Sequence, residues 1–452
     1  MIGLREILAA TGARPVGLEG GEVFECAWAD SRKITPGSLF CAVRGESQDG
    51  HAYLADALER GASCVLVDEP TDLAPRLEVA DVRTALFKIL AQRRRHHRGP
   101  VVAVTGSIGK TTTKDLLAAI LRSRAPTYKT PGNLNSDIGV PLASFGWGTD
   151  QTYAVLEMAM RMPGEIRALT EAAPPDVGIV TVIGESHLGF VGSREALARA
   201  KAELLGALPT GASAILNGDD PFTDLLALYA PRHVIRAGEG ERSDVRVRVV
   251  EDRGLRGWRL SIMGLDGALI EVDVPWPGRG TRVAAALAAA CATSLGLSAR
   301  EIEEGFQSLD GLGGRIHIRQ ASGMLVIDDT YNAAPESMDA ALALLARAPG
   351  NRRVAVLGDM LELGSLSVEA HLRVGRAAAA SADRLLLVGE MAEVLAKGAT
   401  DGGLAPERIT SFPDPKALLA ALKDELRNGD AILVKGSRAL GLEIVVEEAL
   451  RR

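Results

Sequence analysis

The run VVAVTGSIGKTTTK, Val101 to Lys114, is where the residue types first suggest chemistry. Gly106, Ser107, Ile108, Gly109, Lys110, Thr111 and Thr112 follow directly on the apolar stretch Val101 to Thr105. A full P-loop would carry a glycine at the place of Val104, so this is a shorter G-x-x-G-K-T form. The physics survives the shortening. A strand feeds a tight glycine turn, and a helix starts near Lys110, whose free N–H groups and dipole favour a polyphosphate. Lys110 would sit on the phosphates, and the Thr111 hydroxyl would reach a Mg²⁺ ion.

Two further groups fall at ends of apolar segments. Glu157 follows TYAVL and could take a metal ion; His187 lies in TVIGESHLGF, just past another apolar run. Singly, Glu157 reads equally as a solvated strand end and His187 as a satisfied loop histidine. Their shared edge with a phosphate loop favours function, because ligands of doubly wound sheets bind beyond the carboxyl ends of the strands.

Lys201 is the most informative residue. In SREALARAKAELLGAL the apolar positions include Leu197, Leu204, Leu205 and Leu208. Lys201 is four residues after the first and three before the second, which puts it on the apolar stripe. A buried ammonium is costly, and its pKa falls. A neutral lysine amine can add CO₂ to give a carbamate, a carboxylate-like group able to bind a cation. The other reading is a lysine that snorkels to the surface along its stem; spacing leaves both open. Further on, VIDDTYNAAPESM puts Asp328, Asp329 and Asn332 in a strand-to-helix turn, while Arg315 and Lys435 (VKGSR) sit beside other strand ends. These groups could face the phosphate loop across a cleft. Turn and cap chemistry explains Asp and Asn there equally well.

The elements that must hold these groups alternate. TYAVLEM and DVGIVTVIG read as buried strands of a central unit, and GMLVIDD, RRVAVLGD, RLLLVGE and DAILVKG as strands of a later one, with helices such as ESMDAALALLARA between. Such alternation means parallel sheets covered by helices. The first ~95 residues mix short strands and helices into a small α/β unit. AQRRRHHRGP (91–100) reads as a solvated helix end and linker, and SLDGLGGRIH (308–317) as a second break. The fold class is therefore α/β, in three domains over 1–98, 99–311 and 312–452. The net charge of −7 argues against a nucleic-acid partner. Cys26, Cys41, Cys64 and Cys291 form no CxxC pair and read as reduced thiols of a cytoplasmic protein. The N-terminus lacks a signal-peptide core, and no run approaches the ~20 apolar residues that span a bilayer.

Taken together, these segments resemble the Mur ligases over essentially the whole chain. DSRKITPGSLFCAVRGESQDGHAYLADALERGASCVLV is similar to the family's UDP-sugar-binding segment. VTGSIGKTTTK, PGNLNSDIGVPLA, PGEI, SHLGFVGS and ARAKAEL follow in family order, then GGRIHI, IDDTYNAAPESM, VLGDMLELG and VKGSR. GNLNSDIGVPL and GDMLELG single out the branch that joins D-Ala-D-Ala to UDP-MurNAc-tripeptide, and separate it from folylpolyglutamate synthase.

The resemblance implies a UDP-MurNAc-peptide-binding first domain, a central ATP-binding domain and a Rossmann-like third domain on the amino-substrate side. It also implies an acyl-phosphate mechanism. The tripeptide carboxylate attacks the γ-phosphate of ATP, the amine of D-Ala-D-Ala attacks the acyl phosphate, and ADP and phosphate leave. Residues 106–112 with Arg315 and Asp329 would bind ATP. Thr111 and Glu157 would hold one Mg²⁺, and His187 with carbamoylated Lys201 a second. Ser31, Arg32, Asp49, Gly50, His51, Asn133, Asn135, Asn332 and Lys435 would meet the substrates. A monomer whose domains close over ATP is expected. The other readings are a related ligase with different amino-acid partners and a non-catalytic UDP-sugar-binding paralogue; Lys110, Glu157, His187 and Lys201 together argue against the second. The chain departs from the family's G-x-H-N-x-x-N adenine motif, with Gly280 and Ala284 in place of His and Asn. It also has Val182, Glu185-Ser186 and Ala334 where Asn, Pro-Ala and a second Asn are usual.

Overall fold

The computed structural model describes residues 1–45, 48–185, 188–309 and 316–451. His187 and Arg315, both expected at the site, lie outside them. Three large sheets carry the fold.

The central sheet has nine strands, and its parallel part runs from His233–Gly238 through Ser213–Asn217, Val177–Val180, Val101–Thr105 and Tyr153–Glu157 to Thr127–Lys129. Strands buried on both faces should be continuous apolar runs, and Val101–Thr105 and Tyr153–Glu157 are buried at every position. The antiparallel ribbon Val245–Asp252, Trp258–Met263 and Leu269–Val274 extends the other edge. Register decides where chemistry collects. Glu157 pairs with Val104, and Val180 with Thr105. Three strands therefore end together, and Glu157, the 106–109 loop and the segment after Val180 share one edge.

The C-terminal sheet has six strands, parallel except for His317–Ala321 at its edge. Its strands Met324–Asp328 and Asp430–Lys435 are neighbours, with Asp328 paired to Val434. The N-terminal unit is a five-stranded sheet of short strands, parallel except for Arg14–Val16. Cys41 and Cys64 are buried in its core, and Cys291 in the central one.

One sequence expectation is corrected. The basic run does end a helix, Val82–His96, but that end is not solvated throughout. Arg93 follows Leu86, Ile89 and Leu90 on the helix's buried face, and it donates to Glu6 at 3.1 Å and to the Met1 carbonyl. His97 is buried too, accepting from the Trp147 indole at 3.2 Å. The helix thus joins the first unit to the central one, through Leu142 and Phe145 on one side and Val101 on the other.

Candidate functional site

The phosphate loop is shaped by two glycines with positive φ, Gly106 at 144° and Gly109 at 87°. A Cβ on Gly106 would lie 2.0 Å from Thr181 Oγ1, so only glycine fits. Thr181 braces the loop, its hydroxyl donating to the Ile108 carbonyl at 2.6 Å, and Ser107 N–H donates to the Val182 carbonyl at 2.7 Å. The contact at 182 is made by backbone, which is why valine serves there. The helix Lys110–Arg122 begins on Gly109 with no side-chain cap, so its first amides point into the loop. Lys110 Nζ donates to the Gly106 and Ser107 carbonyls at 2.8 and 3.1 Å, which holds its charge over the loop.

Glu157 is fully buried at the adjoining strand end. Its Oε1 accepts from Thr111 Oγ1 at 3.1 Å and from Asn135 Nδ2 at 2.7 Å. Thr111 and Glu157 thus present two oxygens side by side at the head of the phosphate-binding helix, a donor set that suits a hard divalent cation. Asn135 comes from the GNLN loop and lies on this carboxylate, while Asn133 is exposed. Sequence reasoning missed one residue: Lys114, 1% exposed, whose Nζ lies 3.1 Å from Glu157 Oε2.

Lys201 is 1% exposed, on the same buried helix face as Leu197, and Leu204 and Leu205 beyond it are buried as well. It does not snorkel. Burial, with the Lys110 ammonium as a second cause, pushes its amine well below the usual lysine range. A folded-state pKa depressed in this way means that the unfolded chain binds the extra proton between the folded and unfolded pKa values. Stability therefore rises with pH across that window and falls towards acid. In CO₂-free buffer, Lys201→Met should flatten that dependence by up to about 1.4 kcal/mol per pH unit, and should melt higher at pH 7. Denaturant titrations from pH 7 to 10 check this; parallel profiles for the two proteins would contradict it.

Opposite the loop, Asp329 and Lys435 emerge from neighbouring strands and pair at 2.6 Å, and Lys435 also donates to the Asn332 carbonyl at 2.7 Å. Both are buried. One cleft is lined from both sides: Ser107 to Thr112 on the central unit, and Asp329, Asn332 and Lys435 on the C-terminal one. Glu185 crosses between the units to Arg373 at 3.1 Å, and Gly189 N–H to the Glu362 carbonyl at 3.2 Å.

The start of helix Arg279–Ser294 forms another wall of the cleft, with Trp276, Gly278 and Gly280. Ala284, in contrast, is 2% exposed in the central apolar core and is not a lining residue. Nothing lies within 4 Å of a Cβ added to Gly280. Gly280→His should therefore fold with an unchanged or raised Tm, whereas Ala284→Asn should lose about 2–5 kcal/mol by overpacking and by burying an unpaired amide. Thermal melts check both; equal melts would contradict the difference.

The first-unit residues sit around helix Leu54–Glu59. Ser31 bonds the Asp56 carboxylate, and Arg32 extends outward with Asp30 at 2.8 Å. His51 Nδ1 lies 2.7 Å from Asp49 and its Nε2 3.2 Å from Asp68. A Cβ at Gly50 would be 2.7 Å from the Val43 nitrogen, so close backbone approach requires the glycine.

Comparison with known proteins agrees with this layout. The family model for the Mur ligase family, catalytic domain, matches residues 28–99. The Mur ligase middle domain matches 104–293, and the Mur ligase glutamate ligase domain 314–438. A UDP-N-acetylmuramoyl-tripeptide–D-alanyl-D-alanine ligase of Escherichia coli is 36% identical over 440 residues, covering 95% of this chain and 94% of its own. The Synechocystis protein of that name is 36% identical, covering 93% and 91%. A crystal structure of MurF from Acinetobacter baumannii superposes with a TM-score of 0.84 at 31% identity, covering 99% of this chain and 98% of its own. MurF from Thermotoga maritima in complex with ADP gives 0.77 at 29%, covering 94% and 97%.

Proposed function

The chain belongs to the Mur ligase family, and from that membership we infer that it is the ATP-dependent ligase joining D-Ala-D-Ala to UDP-MurNAc-tripeptide, a step in making peptidoglycan precursors. The observation that carries the reading is the cleft itself, with a phosphate loop on one wall and a buried Asp329–Lys435 pair on the other. Domain closure over ATP would use these two walls.

In this reading residues 106–112 bind ATP, their amides and Lys110 holding the β- and γ-phosphates, and Asp329 faces the nucleotide. Thr111 and Glu157 would hold one Mg²⁺, with the two oxygens already side by side. Lys201 would carry a carbamate, since burial pushes its amine well below the usual lysine range and so favours the neutral form that adds CO₂; with His187 it would hold the second ion. Bound there, two cations would neutralise charge that otherwise repels an anionic nucleophile from an anionic phosphate. Lys110 draws the γ-phosphate charge towards the loop as the tripeptide carboxylate attacks, and the acyl phosphate formed is then open to the amine. Closure of the two walls over the nucleotide would keep water from taking the amine's place.

Ser31, Arg32, Asp49, Gly50 and His51 serve the UDP-sugar end in this account, Asn133 and Asn135 the peptide end, and Asn332 and Lys435 the C-terminal wall. Among the described residues no helix is long and apolar enough to cross a membrane. We take the enzyme to work as a cytoplasmic monomer, where ATP is supplied. With Gly280 lining the cleft without a side chain and Ala284 withdrawn into the core, KM for ATP and GTP should differ by less than about tenfold, because buried polar partners give most such selectivity. The functional reading is tested by mass spectrometry of the product from ATP, UDP-MurNAc-tripeptide and D-Ala-D-Ala. The expected species is the sum of the acid and the dipeptide less one water; its absence, with a product from a different amine, would favour the ligase with other partners.

A further inference from the structure

Lys114 stands one helical turn beyond Lys110, on the helix that opens the phosphate site. Its side chain is wholly enclosed, and its Nζ meets Glu157 Oε2 at 3.1 Å and the Gly132 carbonyl, to which it donates at 3.3 Å, with the Asp115 carboxylate further off at 4.0 Å. The other Glu157 oxygen accepts from Asn135 at 2.7 Å. One buried carboxylate and one buried ammonium therefore grip the GNLN loop at both of its ends. Elsewhere the loop has little purchase: Pro131, Gly132 and Asn133 are exposed, and among the described residues its one further hydrogen bond to the rest of the chain is the Ala159 N–H on the Asn135 carbonyl at 2.7 Å. A lysine buried this deeply must be paired to be tolerated, and the Gly132 carbonyl of this loop is one of its two nearest partners.

We propose that Lys114 is a positioning residue for the acid substrate. It fixes the Gly132–Asn135 loop against the Glu157 carboxylate, so that the peptide carboxylate carried beside the loop stands at a set distance from the γ-phosphate. The proposal rests on the ligase reading above. It separates two affinities, since the nucleotide is gripped by the loop amides and Lys110, whereas the acid depends on the tied loop.

The test compares wild type with Lys114→Met, Lys114→Arg and the charge-balanced pair Lys114→Met/Glu157→Gln. Amide hydrogen exchange of residues 132–136 should accelerate at least about tenfold in Lys114→Met, while the helix core at 116–121 exchanges as in wild type. KM for UDP-MurNAc-tripeptide should rise about tenfold, with the ADP dissociation constant, measured without added metal, moving less than about twofold. Lys114→Arg should recover part of both changes. If Lys114→Met leaves the Glu157 charge buried and fails to fold, the double variant removes both charges, and its loop exchange becomes the deciding readout. Loop exchange at the wild-type rate in whichever variant folds overturns the proposal. So does an equal weakening of acid and nucleotide, the mark of a merely structural ion pair. A wild type with no turnover would instead overturn the ligase reading, and the exchange measurement would still decide the role of Lys114.

Discussion

Lys110→Ala should cut phosphate release from ATP by at least about a thousandfold, roughly 4 kcal/mol of transition-state stabilisation. The size follows from where the ammonium is held. Its Nζ is fixed over the loop by the Gly106 and Ser107 carbonyls, so its charge is already in position when the γ-phosphate begins to transfer. Phosphoryl transfer offers the protein little covalent work, and positioned charge supplies most of the acceleration. Lys201 is not a substitute, because its own amine is pushed towards neutrality, in part by Lys110. The loop fold should survive the change, since Thr181 and the Val182 backbone brace it independently. A single-turnover phosphate assay, with circular dichroism to confirm folding, checks this. Near-normal turnover would remove the loop from the mechanism.

Lys201→Ala should lose activity by at least about a hundredfold while folding as well as the wild type or better. The two halves have one cause. Burying the amine costs desolvation that an apolar group avoids, which offsets the packing lost with the stem, yet as a carbamate it would be a cation ligand. Acetate or formate should restore part of the activity by filling the vacated space with a carboxylate. CO₂ depletion should slow the wild type reversibly. Full activity in Lys201→Ala, or a defect that no small carboxylate relieves, would reduce Lys201 to a buried lysine without a catalytic part.

Much of this site could be read in the sequence because each signal was local. The loop announces itself through glycines and Gly-Lys-Thr after a strand, and the 3.6-residue period put Lys201 on the Leu197 stripe, where the structure has it. Asp329 and Lys435 were legible as strand ends, and the parallel register of their strands brings them to 2.6 Å. Lys114 was not legible. In GKTTTK it looks like any helix lysine, and its partners Glu157 and Gly132 are supplied by sheet register and by a loop distant in sequence. Arg93 was hidden for a different reason. Inside RRRHH the charge run suggests solvent, and only the helix phase set by Leu86, Ile89 and Leu90 shows which arginine turns inward. Asn135 enters the sequence reading as a substrate contact, through the GNLN resemblance; that its amide lies on Glu157 depends on where the sheet puts that carboxylate.

The central claim is that this cleft spends ATP to join an acid to an amine. Phosphate release from ATP, measured with UDP-MurNAc-tripeptide in the presence and absence of D-Ala-D-Ala, tests it most directly. Sustained release is expected only when acid and dipeptide are both present, with one phosphate for each amide formed. Release at the same rate without the dipeptide, or none with both substrates and Mg²⁺ supplied, would contradict it.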